Sequence, residues 1–152
     1  MADSSRTQKL DLVFQHIRHF PDFPVKGIVF NNYMLAGLDA RGFLFGPLLA
    51  QRLGIGFILV RKKGKLPGPT LSVAYTLEYA TAEVEIQADA VQAGQNVLVI
   101  DDLLATGGTL HAACELLKKQ KAQVLGCLVV VELKDLGGAE KLPVPVFSLL
   151  QF

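Results

Sequence analysis

The sequence predicts an α/β fold, a mainly parallel central sheet flanked by helices, together with a two-stranded antiparallel ribbon. Three observations carry that prediction. Short apolar runs alternate with stretches of helical character, as at residues 33–38 and 41–53. One such run, Val97-Leu98-Val99-Ile100, ends in two carboxylates and a glycine loop that opens a helix. Between Leu71 and Ile86 the apolar positions recur every second residue, with a single step of three from Tyr79 to Ala82 that marks a turn between antiparallel strands.

The elements follow in order. Ser5-Arg6-Thr7-Gln8 has capping-box spacing, and Leu10, Val13, Phe14 and Ile17 share one helical face. That helix stops near Phe20, because Pro21 and Pro24 forbid its continuation. His16 and His19 lie three apart on it without acids or cysteines nearby, which makes them surface residues rather than metal ligands. Residues 20–30 form an apolar, stiff loop. A buried strand is expected at 33–38, a helix at 41–53 and a second strand at 55–60. Residues 61–69 are basic and rich in breakers, hence a mobile loop. After the ribbon come strands at 97–100, 124–131 and 146–149, with a helix at about 109–119. Without repeats, low-complexity tracts or a linker, residues 1–152 read as one domain.

Composition narrows the function classes. Hydrophobic residues make up 51% of the chain and mean hydropathy is +0.37, yet no apolar run nears membrane-spanning length. The first six residues are polar and lack the apolar segment of a signal peptide. Fifteen Lys and Arg against fourteen acids give a net charge of +1, which argues against general nucleic-acid binding and leaves any anion site local. Cys114 and Cys127 are too few for a disulfide framework or a zinc site, so reduced core thiols and a cytoplasmic setting are expected.

The chemistry concentrates in residues 97–109. In an open parallel sheet, ligands lie beyond the carboxyl ends of strands, and Asp101 and Asp102 fall there. Ala105, Thr106, Gly107, Gly108 and Thr109 make a small-residue loop that lets a backbone approach an anion, and the helix start behind it offers free N–H groups to phosphate. The two acids can take sugar hydroxyls or the water shell of a magnesium ion. The whole reads as a site for a phosphorylated ribose; the bland alternative is an ordinary strand–loop–helix turn whose glycines only serve packing. Gly54-Ile55-Gly56 lacks the third glycine of a dinucleotide fingerprint, and no loop ends in Gly-Lys-Ser/Thr.

Three further elements can converge on the same ligand. Asp39, Ala40 and Arg41 sit in a tight loop at a helix start, suited to a second anion such as pyrophosphate, although Asp39 alone fits an N-cap equally well. Arg61, Lys62, Lys63 and Lys65 are four cations in five residues. By themselves they make a solvated surface turn; following a strand that ends beside the phosphate loop, they fit an anion-covering lid. Glu78 stands between Leu77 and Tyr79, where alternation puts it on the opposite face, and the pattern alone makes it no more than an exposed strand glutamate.

These pieces resemble a known family. The strings FPDFPVKGIVF, AGLDARGFLFGP, LVRKKGKLPGPTLSVAYTLEYATAEVEIQ, VLVIDDLLATGGTLHAACELL and PVPVFSLLQF, which cover most of residues 9–152, are similar to those of adenine phosphoribosyltransferases. These are type I phosphoribosyltransferases of purine salvage. The resemblance implies that fold, with residues 1–30 as an N-terminal helix and hood-like loop and 33–152 as the core. It implies transfer from 5-phosphoribosyl-1-pyrophosphate to adenine, giving AMP and pyrophosphate, with Mg²⁺ held mainly by substrate, in a homodimer. By match, Ala105, Thr106, Gly107, Gly108 and Thr109 would hold the 5′-phosphate, and Asp101 and Asp102 would face the ribose. Asp39, Ala40 and Arg41 would hold pyrophosphate, with Arg61, Lys62 and Lys65 contributing from the lid side; Arg61 also joins Glu78 in the catalytic set. Val29 and Phe30 would pack on adenine, and Glu78 matches the acid/base residue that handles the purine's proton.

The match has one gap. In the family the loop at Gly27-Ile28-Val29-Phe30 continues into Arg-Asp-Ile and a further helical stretch before the first core strand, whereas here Phe30 runs directly into Asn31-Asn32-Tyr33. Roughly thirty residues are missing, the size of a strand–helix–strand unit. Asn31 stands where the family has an arginine beside the base and takes no role. The sheet is expected to lose a covering helix and to expose apolar surface that needs a partner.

Overall fold

The computed structural model describes residues 32–77 and 79–152. The helix expected before Phe20, the hood-like loop with Val29 and Phe30, and Glu78 lie outside the described residues.

Among the described residues seven strands form one sheet: β1 (Tyr33–Leu38), β2 (Gly56–Lys62), β3 (Thr70–Thr76), β4 (Thr81–Gln87), β5 (Asn96–Leu104), β6 (Gln123–Glu132) and β7 (Val146–Gln151). Their spatial order is β3-β4-β2-β1-β5-β6-β7. The five strands from β2 to β7 pair in parallel, while β3 and β4 make an antiparallel ribbon joined to β2. Helix α1 (Gly42–Leu53) connects β1 to β2, and α2 (Gly108–Lys119) connects β5 to β6. Because β1 lies between β2 and β5, chain direction across the sheet reverses there, and the connections after β1 and β5 leave a crevice at their carboxyl ends.

Two strands run further than their apolar residues indicate, and one stops short. β5 continues through Asp101 and Asp102 to Leu104, pairing Asp101 with Val129 and Leu103 with Val131. The two acids therefore stand on the strand itself rather than in the loop after it. β2 likewise takes in Arg61 and Lys62, which pair with Glu85 and Val84. In each case main-chain pairing, which ignores side-chain polarity, extends the strand. β3 ends at Thr76, three residues earlier than alternation suggests, and Tyr79 is 92% exposed in the turn.

The two faces of the sheet are unequal. Under α2, whose Leu110, Ala113, Leu116 and Leu117 are buried, a continuous core includes Leu38, Val60, Ile86, Val97, Val99 and Val129. Under α1, among the described residues, Leu35, Ala50 and Ile100 form a smaller buried cluster, with Leu49, Ile55, Phe57, Leu98 and Leu128 packed against it. Leu44 and Leu48 of α1 remain mostly exposed, as do Phe147 and Leu149 on β7. Cys114 and Cys127 are free and buried, with sulfurs 3.9 Å apart.

Candidate active site

Two adjoining cavities lie beyond β1 and β5, sharing Asp101, Leu103 and Thr109. One, of about 320 Å³, is bounded by Ala105, Thr106, Gly107, Gly108 and Leu110, with Thr76 and Leu77 from the ribbon. The other, of about 360 Å³, is lined by Asp39, Ala40, Arg41, Lys62, Tyr75, Val84 and Asp102. The carboxylate-bearing end of β5 is the wall between them.

In the first cavity the loop is shaped by Gly107, whose φ of +87° is open to glycine at little cost. Gly107 caps α2 with no side-chain hydrogen bond, and no acid occupies the first turn of the helix. The first amides of α2 thus keep their donor capacity and positive dipole end for an incoming anion. The loop is buttressed from outside. A Cβ on Gly138 would stand 2.2 Å from the Ala105 carbonyl oxygen, so loop and the turn after β6 meet backbone to backbone.

The acids at the shared wall differ in environment. Burial pushes the Asp101 carboxyl up to about 7, with the adjacent Asp102 charge adding to the effect and the Asp102 amide, 2.8 Å from Oδ1, opposing it. Near neutrality Asp101 can donate as well as accept a hydrogen bond. Asp102 instead accepts from the Arg41 Nε, an ion pair that ties the end of β5 to the loop after β1.

Asp39 is not the helix cap; that place belongs to Arg41, without side-chain bonding. The Asp39 carboxylate accepts from Arg61 Nε at 3.2 Å and from the Lys62 amide at 3.5 Å. Its charge is thereby matched by Arg61, leaving Arg41 and Lys62 as the cations lining the second cavity. The Asp39–Ala40 peptide is cis. Arg61 also donates to the Lys65 carbonyl at 3.2 Å and lies 5.9 Å from the Phe43 ring centroid. Neither Arg61 nor Lys65 lines either cavity. Residues 61–69 are strapped along β4 rather than hanging as a free lid: Lys63 pairs with Glu83, Lys65 and Leu66 donate to Glu85, and Gln87 donates to the Pro67 carbonyl. The ribbon end, through Thr76 and Leu77, is what reaches the phosphate loop.

Sequence reasoning overlooked Tyr75 and Leu103 as cavity residues. Leu103 follows Asp101 by two on β5 and lines the same cavities, a period-two signal hidden by ending the strand at Ile100.

The family model for the phosphoribosyl transferase domain matches residues 8–148. The adenine phosphoribosyltransferase of Homo sapiens is 52% identical over 183 aligned positions that take in 100% of this chain and 99% of the relative. The chain belongs to the adenine phosphoribosyltransferase family. Among solved structures, the adenine phosphoribosyltransferase of Thermoanaerobacter pseudethanolicus superposes with a TM-score of 0.78 at 41% identity, covering 94% of this chain and 99% of that one. That of Saccharomyces cerevisiae, complexed with adenine and an imino-altritol bisphosphate, gives 0.76 at 38% identity, covering 97% and 99%. The type I phosphoribosyltransferase fold read from the motifs is the fold observed. The human alignment is 31 positions longer than the chain's 152 residues, which matches in size the segment absent after Phe30.

Magnesium, expected from the family, fits these residues only as an ion held largely by substrate. Among the described residues no cluster of three or more metal-binding side chains exists. The cavity wall offers Asp101, partly protonated near neutrality, and Asp102, already paired with Arg41. Two such carboxylates suit the water shell of a cation that keeps several waters and substrate oxygens.

Proposed function

We propose that this chain transfers the 5-phosphoribosyl group from 5-phosphoribosyl-1-pyrophosphate to adenine, releasing pyrophosphate and forming AMP. The observation that carries this is the pair of anion-suited cavities divided by Asp101, with a phosphate loop in one and Arg41 and Lys62 in the other. A sugar with phosphate at one end and pyrophosphate at the other spans such a pair, its ribose hydroxyls at the acids. The adenine in the yeast relative's complex supports the acceptor.

The α2 amides and the loop from Ala105 to Thr109 hold the 5′-phosphate, a fixed anchor remote from the reacting carbon. Asp101 and Asp102 hold the ribose hydroxyls. As pyrophosphate leaves, the anomeric carbon becomes cation-like and negative charge gathers on the leaving group. Arg41 and Lys62 stabilise that charge, with Asp39, Ala40, Arg61 and Lys65 shaping the loops that carry them. Magnesium, when bound, would further neutralise charge on the leaving group, held mainly by substrate with Asp101 and Asp102 placed to take its water shell. Glu78 accepts the proton from the purine nitrogen and keeps it nucleophilic, and Val29 and Phe30 pack on the base; these roles rest on the motif match. Exclusion of water protects the activated sugar from hydrolysis. We extend the reading to a cytoplasmic homodimer, supported by the free thiols of Cys114 and Cys127 and by the apolar surface at Leu44 and Leu48. Among the described residues no helix is long and apolar enough to cross a membrane.

A second reading is favoured by the missing 31 positions: a sugar-phosphate or AMP binder without turnover. The deciding experiment measures AMP from adenine, 5-phosphoribosyl-1-pyrophosphate and Mg²⁺ with purified protein of defined oligomeric state. Turnover, reduced strongly by Glu78→Ala, is expected. A folded protein that is stabilised by the sugar but makes no AMP would establish the binder instead.

A further inference from the structure

Glu85 is a carboxylate on β4 of the antiparallel ribbon, paired between β3 and β2, and it is only 3% exposed. Its neighbours Val84 and Ile86 enter the core beneath α2, so alternation puts Glu85 on the opposite face of β4. That face is covered by the basic turn after β2. Glu85 Oε1 accepts the Lys65 amide at 2.9 Å and the Leu66 amide at 2.8 Å. Burial alone would push the carboxyl up, but the backbone amides of Leu66, Gly64 and Lys65 outweigh it and hold the group below its usual range. A buried carboxylate satisfied by successive amides is a strong, directional tie, costly to leave half made.

The tie continues to the catalytic side. Arg61, the register partner of Glu85, donates to the Lys65 carbonyl and to Asp39, both at 3.2 Å. Lys62, next along β2, lines the cavity that also holds Arg41. Glu85, the Lys65–Leu66 peptide, Arg61 and Asp39 thus form one chain of contacts from the ribbon to the loop after β1.

We propose that Glu85 is a positioning residue that sets the basic turn, and through Arg61 the Asp39 loop, for the pyrophosphate end of the substrate. This rests on the transferase reading. It acts through backbone amides and touches no substrate.

The test compares wild type with Glu85→Ala and Glu85→Gln, the latter keeping a carbonyl in place of Oε1. In Glu85→Ala, KM for 5-phosphoribosyl-1-pyrophosphate and for pyrophosphate in the reverse reaction is expected to rise about tenfold, the loss of one charge-assisted tie. KM for adenine and kcat per folded molecule stay near wild type, and Glu85→Gln recovers most of the effect. Hydrogen exchange at the Lys65 and Leu66 amides accelerates in parallel. A merely structural role would lower the active fraction and leave both KM values unchanged; that result overturns the proposal, as does lost amide protection with an unaltered pyrophosphate KM. If Glu85→Ala does not fold, Leu66→Pro removes one donor from the turn side with β4 intact, and the same selective rise is expected. Direct titration of pyrophosphate with Mg²⁺ separates the two readings. A wild type without AMP formation refutes the transferase, while about tenfold weaker pyrophosphate binding in Glu85→Ala still upholds the role of Glu85, and equal binding refutes it.

Discussion

Replacing Gly138 by alanine tests whether the phosphate loop is held in place from outside the site. Gly138 has φ −62° and ψ −36°, a conformation that any residue adopts, so alanine brings no backbone strain. The whole perturbation is the added methyl. It would lie 2.2 Å from the Ala105 carbonyl oxygen, 3.1 Å from the Ala105 carbonyl carbon and 2.9 Å from Leu104 Cδ1. The leucine end can turn aside, but the carbonyl belongs to the loop itself. Restoring an ordinary carbon–oxygen contact of about 3.3 Å requires loop and turn to part by about 1 Å. Overpacking of this kind costs about 1–3 kcal/mol of stability. A shift of about 1 Å in a substrate-positioning loop can cost about 100-fold in rate. We expect kcat/KM for 5-phosphoribosyl-1-pyrophosphate to fall about 10–100-fold, with KM for adenine little changed. Gly94→Ala is the control: its φ of +81° makes alanine strained, yet no atom lies within 4 Å of the added carbon, and the residue is remote in sequence from the loop. It should lower the melting temperature and leave the kinetics of the folded protein alone. Initial-rate kinetics with each substrate varied, beside thermal melts of both variants, decide the matter. If Gly138→Ala melts like Gly94→Ala and keeps wild-type KM for the sugar, the turn yields rather than the loop, and the buttress argument is wrong.

Other outcomes follow from the same geometry. Asp101 titrates near 3.8 when unfolded and is pushed up to about 7 when folded, so between those values the folded state holds the extra proton and stability falls as pH rises. Asp101→Asn should flatten that fall, whose slope is at most about 1.4 kcal/mol per pH unit, and should melt higher than wild type at pH 8; melting curves from pH 4 to 8 check it. Arg41→Ala removes a cavity cation and the partner of Asp102, and kcat/KM for the sugar should drop about 10–100-fold, the equivalent of about 1.5–3 kcal/mol, with kcat reduced as well as KM raised. Leu116→Ala empties a fully buried position on the core face of α2 and should cost about 2–5 kcal/mol in denaturant unfolding.

The residues that meet substrate in the proposed mechanism were legible because their signal is local. An apolar β-branched run, two acids and a glycine loop occupy thirteen consecutive positions, and strand, loop and helix follow from that order alone. Asp39-Ala40-Arg41 reads the same way at the end of β1. Strand ends were less legible, since pairing of Asp101 with Val129 or Arg61 with Glu85 is made by main chain and leaves no mark in hydropathy. Val29, Phe30 and Glu78 remain known only through their motifs.

What supports the site was hidden because it is non-local. Glu83, Glu85 and Gln87 alternate on β4, and a polar face on a ribbon reads as one turned to water. It becomes an interior only when residues 63–69 fold across it, and then the same carboxylate that signalled exposure becomes the acceptor for the turn's amides. Gly138 behaves likewise: nothing near it in the chain shows that the Ala105 carbonyl comes to rest where its side chain would be. In both cases the determining partner lies about twenty or more residues away, so periodicity and spacing can find the groups that meet the ligand, but not the contacts that hold those groups within the sub-ångström tolerance that transfer between two positioned substrates demands.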